Sequence, residues 1–289
     1  MVREVLAGLG LRPNRLYVDG TLGEGGHAVA ILSRIAGVGE LWGFDRDPEV
    51  LQTAAARLAP FTSHFRLFHR SYAQLGEVLE DVGRSAADGI LLDLGLSSFS
   101  LQSSGRGFSF KLDEPLDMRF DPEGPDPTGA QLLNTLPQME LERIFRDYGE
   151  EPRARSLARR ICEARRQRPW RTTGQLVAVV LATMGPRAAK SRLHPATRVF
   201  QALRIAVNRE LEELEKFLDR APQWLEPGGR LVIISYHSLE DRLVKQHFLS
   251  WEKAGVMRRL TKKPLSPSPD EVRQNPRARS AKLRLAEKN

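Results

Sequence analysis

Apolar residues recur along the first 95 positions in two alternating rhythms. Short hydrophobic runs end in an acid, and longer stretches with a three-to-four-residue period follow them. Leu16-Tyr17-Val18-Asp19 is the first run. A Gly-rich segment, Gly20 to His27, leads into a helical pattern from Ala28 through Ile35, stopped by Gly37. Glu40 to Asp45 reads as a second strand. Asp47 as N-cap and Pro48 at the first helical position then start a helix. Ser63 to Phe68 is a third strand, a helix follows around Ala73–Leu79, and Asp88 to Asp93 is a fourth strand. Strands spaced by helices predict an α/β fold with a parallel, doubly wound sheet.

The rhythm stops after Asp93. Leu94 to Pro127 is rich in Gly, Ser, Asp and Pro and reads as loop. Helical patterns then cover Glu140–Phe145, Glu151–Arg166, Thr173–Met184 and Pro195–Asn208. The sheet pattern resumes with a long helix from Arg209 to Leu225, a turn at Glu226-Pro227-Gly228-Gly229, a fifth strand at Arg230–Ser235 and a helix at Glu240–Trp251. Pro264 to Pro276 reads as loop, and Ala281–Leu285 alternates like an edge strand. The expected organisation is a core in two parts, 1–108 and 208–289, with an inserted helical domain at 109–207.

Length and composition narrow the function classes. The 289 residues are 41% hydrophobic and 28% charged, which suits a globular chain with a real core. No apolar run approaches the ~18 residues that span a bilayer. The N-terminus lacks an apolar signal core, so a cytoplasmic protein is expected. The single cysteine, Cys162, excludes an intramolecular disulfide and a multi-cysteine zinc site, and the histidines show no metal-ligand spacing, so no metal is expected. Net charge is +8, and nine of the 44 basic residues are Lys, leaving 35 Arg. Arginine binds phosphate bidentately and stacks on bases, which favours a nucleic-acid partner. A heat-adapted surface has the same composition.

The strongest local signal is Asp19 to His27. A Gly-rich turn between strand and helix lets backbone approach a ligand. Asp45 ends the second strand, where a carboxylate can accept both hydroxyls of a ribose. The pair predicts an adenosine-bearing cofactor, without separating NAD from S-adenosylmethionine. Three features separate them. Asp19 precedes the glycines, where it can meet a charged amino group. Asp93-Leu94-Gly95 ends the fourth strand, where methyltransferases place substrate groups. A Pro-Gly-Gly-Arg turn precedes the fifth strand. An NAD domain also needs a second mononucleotide-binding half, and the pattern shows none.

The chain resembles the RsmH (MraW) family of ribosomal RNA small-subunit methyltransferases along nearly its whole length. The resemblance is carried by Asp19–His27, Phe44–Pro48, Asp88–Ser98, Arg106–Phe110, Pro115–Arg119, Tyr148–Glu151, His194–Arg198, Ser235–Arg242 and Asn275–Ser280. It implies a class I (Rossmann-like) S-adenosylmethionine-dependent methyltransferase fold with an inserted all-α domain. It also implies methylation of the exocyclic N4 of a decoding-centre cytidine in 16S rRNA of the small ribosomal subunit. By motif, the cofactor contacts fall on Gly25, Gly26, His27, Asp45, Tyr72, Asp93 and Ser100. The family commonly has Phe at the position of Tyr72 and Gln at that of Ser100, where Gln102 is a substitute. Another acceptor, DNA or protein, is the alternative within enzymes. An RNA-binding assembly factor with a vestigial pocket is the alternative outside them.

Methyl transfer is an in-line displacement that needs the acceptor nitrogen about 3 Å from the methyl carbon. The catalytic candidate is Asp93, or a backbone carbonyl of Leu94-Gly95, accepting from N4. Phe99 or Phe108 can stack on a flipped base, and each is equally a core residue. Arg153, Arg155, Arg159, Arg160, Arg165, Arg166, Arg168 and Arg171, with Trp170 among them, suggest an RNA-phosphate surface, of which Arg159 and Arg160 are the named candidates. The other reading is a solvated helix with ion pairs. Tyr236, His237 and Ser238 are expected to line the acceptor pocket, or Ser238 and Asp241 form a capping box. His194 and Arg198 bring the insertion to the substrate, or only start a helix at Pro195.

Overall fold

The structure, a computed structural model, describes residues 1–35, 38–61, 64–185 and 194–289. The expected helix stop at Gly37 and strand start at Ser63 lie outside them. In chain order the elements are α1 (Val2–Leu9), β1 (Leu16–Asp19), α2 (Gly26–Ile35), β2 (Glu40–Asp45), α3 (Pro48–Leu58), β3 (Phe65–His69), α4 (Leu75–Asp81) and β4 (Ala87–Asp93). Then come α5 (Ser98–Gln102), α6 (Gly129–Thr135), α7 (Gln138–Asp147), α8 (Ala154–Arg165), α9 (Thr173–Met184) and α10 (Ala196–Asn208). The chain closes with α11 (Glu210–Arg220), β5 (Leu225–Ser235), α12 (Ser238–Lys253), β6 (Met257–Arg259), α13 (Pro269–Gln274) and β7 (Lys282–Lys288). No described helix is long and apolar enough to cross a membrane.

Two compact units divide the chain. One is Met1–Leu96 with Leu211–Asn289, the other Ser97–Glu210. The expected boundaries, 108/109 and 207/208, therefore move. Residues 97–108 fold with the helices because the Arg106 guanidinium donates to the carbonyls of Arg119 and Phe120, and Phe108 stacks on Phe120 at 5.6 Å. At the other end, the Asn208 amide bonds Phe120 N and Met118 O, and Glu210 pairs with Arg204 at 2.7 Å.

The first unit is a seven-stranded sheet in the order β3-β2-β1-β4-β5-β7-β6. β1 to β5 are parallel to their neighbours, while β7 runs antiparallel to both β5 and β6. This is the α/β, doubly wound sheet that the sequence pattern predicts, with β7 its one antiparallel strand. The period-2 alternation of strand side chains fills both faces. Leu16, Val18, Ile90 and Leu92 face one core with α4, α11 and α12, whereas Tyr17 and Leu91 face the other with α1, α2 and α3. Burying each large side chain is worth ~1.5–3 kcal/mol.

Three expectations change. Ala281–Leu285 belongs to β7, which is not an edge strand. Its charges read as edge-like, but Lys282 and Arg284 pair with Asp241 at 2.9 and 2.7 Å, so the strand can be flanked on both sides. The short β6 is the edge. The Glu226–Gly229 turn lies within β5 as an irregularity opposite Ala87 and Gly89, with Gly228 at φ +75°. The long helix before β5 ends at Arg220, and a 3-10 turn over Ala221–Trp224 finishes it.

The second unit is helical. Leu133, Leu141, Phe145, Leu157, Ile161 and Leu203 are among its buried residues. The short α6, opened by a capping box between Thr128 and Gln131, had no apolar period long enough to stand out.

Candidate cofactor site

β1 delivers Asp19 to the carboxyl end of the sheet, where ligands of open α/β folds bind. The chain then turns tightly. Gly20 N donates to Leu91 O at 2.8 Å, and a Cβ on Gly20 would lie 2.4 Å from Leu92 Cδ2 and 2.9 Å from Tyr72 Cβ. Only glycine passes there. Thr21 N donates to Asp19 Oδ1 at 3.2 Å, and Thr21 Oγ1 accepts from Asp93 N at 2.5 Å. Gly23 and Gly25 take positive φ, +53° and +78°. A Cβ on Gly26 would meet nothing within 4 Å, so the first turn of α2 faces open space.

Asp45 ends β2 and ties this loop down. Its Oδ2 accepts from Gly23 N and its Oδ1 from Asp47 N, each at 2.9 Å. Asp47 caps α3 by accepting from Glu49 N at 3.1 Å. Burial pushes the Asp45 carboxyl up to about 6, against the pull of those N–H groups. Burial also pushes Asp19 up to about 7, opposed by His27 and Thr21 N and reinforced by Asp93 and Asp45.

Asp93 ends β4. Its Oδ2 lies 3.3 Å from His27 Nε2 at the start of α2. Burial lowers the His27 pKa, but the hydrogen bond and charge of Asp93, with the charge of Asp19, outweigh it and the net shift is upward. Burial, together with the charge of Asp93, drives the Tyr236 pKa up. Asp19 Oδ2, Asp93 Oδ1 and His27 Nδ1 are buried without a hydrogen-bond partner. An orphaned buried carboxylate oxygen costs several kcal/mol unless something completes it. Two such oxygens, with His27 Nδ1, beside an open Gly-rich turn fit a ligand that brings positive charge and hydrogen-bond donors.

Tyr72 follows Ser71, the cap of a 3-10 turn at Tyr72–Gln74, and its ring packs edge-on against Phe217 at 5.5 Å. Ser71 Oγ donates to Glu213 at 2.6 Å. His237 is the N-cap of α12, in a capping box with Glu240 rather than between Ser238 and Asp241. Glu240 is 3% exposed and accepts from Tyr236 N and His237 N. Ser238 is exposed.

The remaining candidates lie in the helical unit. Ser100 is buried in α5, its hydroxyl 2.7 Å from that of Ser97, while Gln102 is exposed. His194 stacks on Phe110 at 4.7 Å and its Nδ1 accepts from Ala196 N, so it opens α10. Arg198 reaches Glu150 O at 3.4 Å. Phe108 is core. The arginine cluster divides. Arg153 donates to Thr183 O and Met184 O, Arg165 to Leu133 O and Leu136 O, and Arg160 to Ala182 O. These guanidiniums satisfy carbonyls at the C-terminal ends of α9 and α6. Trp170 is 4% exposed and donates to Ile161 O, so it is packing and not a base platform. Arg159 faces Glu163 at 3.8 Å, both exposed, and Arg155, Arg166 and Arg168 are exposed.

Sequence reasoning missed Thr21 and Glu240. Thr21 carried no signal beyond lying in the turn. Glu240 is at N3 relative to His237, a spacing that was legible had the cap been set one residue earlier.

The whole chain, residues 1–289, matches the MraW methylase family. It belongs to that family. A protein of Kosmotoga olearia named Ribosomal RNA small subunit methyltransferase H is 48% identical over 290 residues, covering 100% of this chain and 96% of that one. A protein of Maridesulfovibrio salexigens with the same name is 46% identical over 305 residues, covering 100% and 94%. The crystal structure of an rRNA methylase from Streptococcus thermophilus aligns at 14% identity and TM-score 0.42, covering 99% of this chain and 92% of that one. Membership makes this chain a methylase with S-adenosylmethionine as its cofactor, and the orphaned carboxylate oxygens fit that cation.

Proposed function

We propose that this chain transfers a methyl group from S-adenosylmethionine to the exocyclic N4 of a decoding-centre cytidine in 16S rRNA, acting on the small ribosomal subunit in the cytoplasm. The observation that carries the reading is near-half identity over the full chain to relatives named for small-subunit ribosomal RNA methylation. Bound S-adenosylmethionine supplies an electrophilic methyl on a sulfonium. Gly25 and Gly26 would bring backbone to it, Asp45 would take the ribose hydroxyls, and Tyr72 would hold the base. Asp19 neutralises the amino group. His27 and Asp93 would complete the contacts.

An acceptor nitrogen that has taken the methyl group must lose a proton. Asp93 is the group assigned to accept it, since its free oxygen cannot be satisfied from within the fold. Arg155, Arg159, Arg166 and Arg168 supply the phosphate-binding surface. Arg160, His194, Arg198, His237 and Ser238 bear on substrate as well as on structure.

The test is to incubate the chain with methyl-labelled S-adenosylmethionine and, separately, small subunits, bare 16S RNA, DNA and protein. Label is expected in the RNA of small subunits. Label confined to DNA or protein, or cofactor binding with no transfer, contradicts the reading.

A further inference from the structure

The ladder between β1 and β4 stops at Asp19 opposite Leu91, but β4 runs on to Asp93. Leu91 O still accepts from Gly20 N at 2.8 Å, on the side of β1, while Leu94 N donates to Ile234 O at 3.0 Å, on the side of β5. Asp93, two residues beyond Leu91, again turns its N–H toward β1, where the backbone has left the sheet for the Gly-rich loop. Thr21 Oγ1 takes that N–H, at 2.5 Å. A side chain thus supplies the rung that the β1 backbone does not reach, and a backbone N–H left without one is costly. Thr21 N meanwhile donates to Asp19 Oδ1 at 3.2 Å. One residue therefore ties both acids, Asp19 through its backbone and Asp93 through its hydroxyl. Each acid keeps one buried oxygen over, Asp19 Oδ2 and Asp93 Oδ1, and Asp93 Oδ2 lies 3.3 Å from His27 Nε2.

We infer that Thr21 is a positioning residue for Asp93, its hydroxyl fixing the backbone at the end of β4 and with it the place of Oδ1, the oxygen left for the amine that receives the methyl group. The inference rests on the proposed methylation of an amine. A proton acceptor works only within hydrogen-bond reach of the proton that it takes, so a small displacement of its backbone is felt in the rate. Thr21 does not touch the acceptor and acts through Asp93. A packing role would make the opposite demand on this residue: it would need the methyl group and volume of threonine and not the oxygen.

Two variants separate these demands. Thr21→Val keeps the branched shape and the backbone N–H to Asp19 but loses the oxygen. Thr21→Ser keeps the oxygen and loses the methyl group. The first readout needs neither cofactor nor RNA: the titration of His27 by NMR. Burial lowers the His27 pKa, and Asp93 with Asp19 raises it beyond that loss. Thr21→Val lets the end of β4 drift from Nε2, so the His27 pKa falls, while in Thr21→Ser it stays at the wild-type value. An unchanged or higher value in Thr21→Val shows that Asp93 stays put without the hydroxyl and overturns the inference.

The second readout is kinetic. For Thr21→Val, kcat on small subunits falls about 10- to 100-fold, with KM for RNA and Kd for S-adenosylmethionine within about fivefold. Thr21→Ser, which restores the hydroxyl, recovers kcat to within about threefold of wild type. A serine variant as slow as the valine one, or a loss carried by KM or Kd, contradicts a positioning role. If the wild-type chain methylates no RNA, the functional reading fails, and the His27 titration still decides the role of Thr21 by itself.

Discussion

Asp19 and Arg165 are both charged groups that their sequence context made conspicuous, and the fold treats them in opposite ways. Asp19 is 1% exposed and keeps one carboxylate oxygen without a partner, beside Asp93 and His27 with theirs. Arg165 gives its guanidinium to the carbonyls of Leu133 and Leu136. The difference separates two kinds of charge. A buried polar group whose hydrogen bonds the protein leaves open has been set aside for a ligand. One that ends a helix is already satisfied, and removing it costs stability.

Variants can sharpen or break that contrast. The largest effect is expected for Asp45→Ala. It removes the ribose acceptor and releases Gly23 N and Asp47 N, so S-adenosylmethionine binding by calorimetry should weaken about 100-fold, from two charge-assisted bonds of ~1.5 kcal/mol each. Unchanged affinity would refute the ribose assignment.

Asp19→Asn should weaken the cofactor about tenfold while making the free protein more stable. The Asp19 carboxyl is raised to about 7 in the fold. Its stabilising, protonated state is therefore fully present below the unfolded value near 3.9 and is lost as pH rises through about 7. Melting at pH 8 should thus rise by at least about 2–4 °C in the variant, with little change at pH 4. The same titration makes wild-type cofactor affinity fall as pH drops below 7, because a cation binds the ionised carboxylates. A flat profile between pH 5.5 and 8 would remove Asp19 and Asp45 from the site.

On α8 and the residues just after it the contrast becomes a split. Arg165→Ala should cost about 1–3 kcal/mol in urea unfolding, since two partly buried carbonyls lose a charged donor. Arg159, Arg166 and Arg168 changed to Ala should each leave stability within about 0.5 kcal/mol. Each should also reduce the salt slope of RNA binding by about 0.7–0.9. An unaltered slope for all three would leave this stretch as a solvated surface.

Most of the sheet was legible because its strands are buried on both sides and read as continuous apolar runs. β6, three residues long, and α13, inside a Pro/Ser-rich stretch, gave no such run. The cofactor loop was legible because positive φ and close packing select glycine, as at Gly25 and Gly20. Asp45 was legible from its place at the end of β2. Arg153, Arg165 and Trp170 misled because sequence shows that a side chain is cationic or aromatic but not whether a carbonyl from another helix meets it.

The most direct test of the account is the chemical position of the transferred methyl. Small subunits lacking the modification, treated with the chain and labelled S-adenosylmethionine, are digested and their nucleosides resolved by mass spectrometry. The account predicts label on N4 of a cytidine at one site of 16S rRNA. Label on another atom or base, or none despite measured cofactor binding, contradicts it.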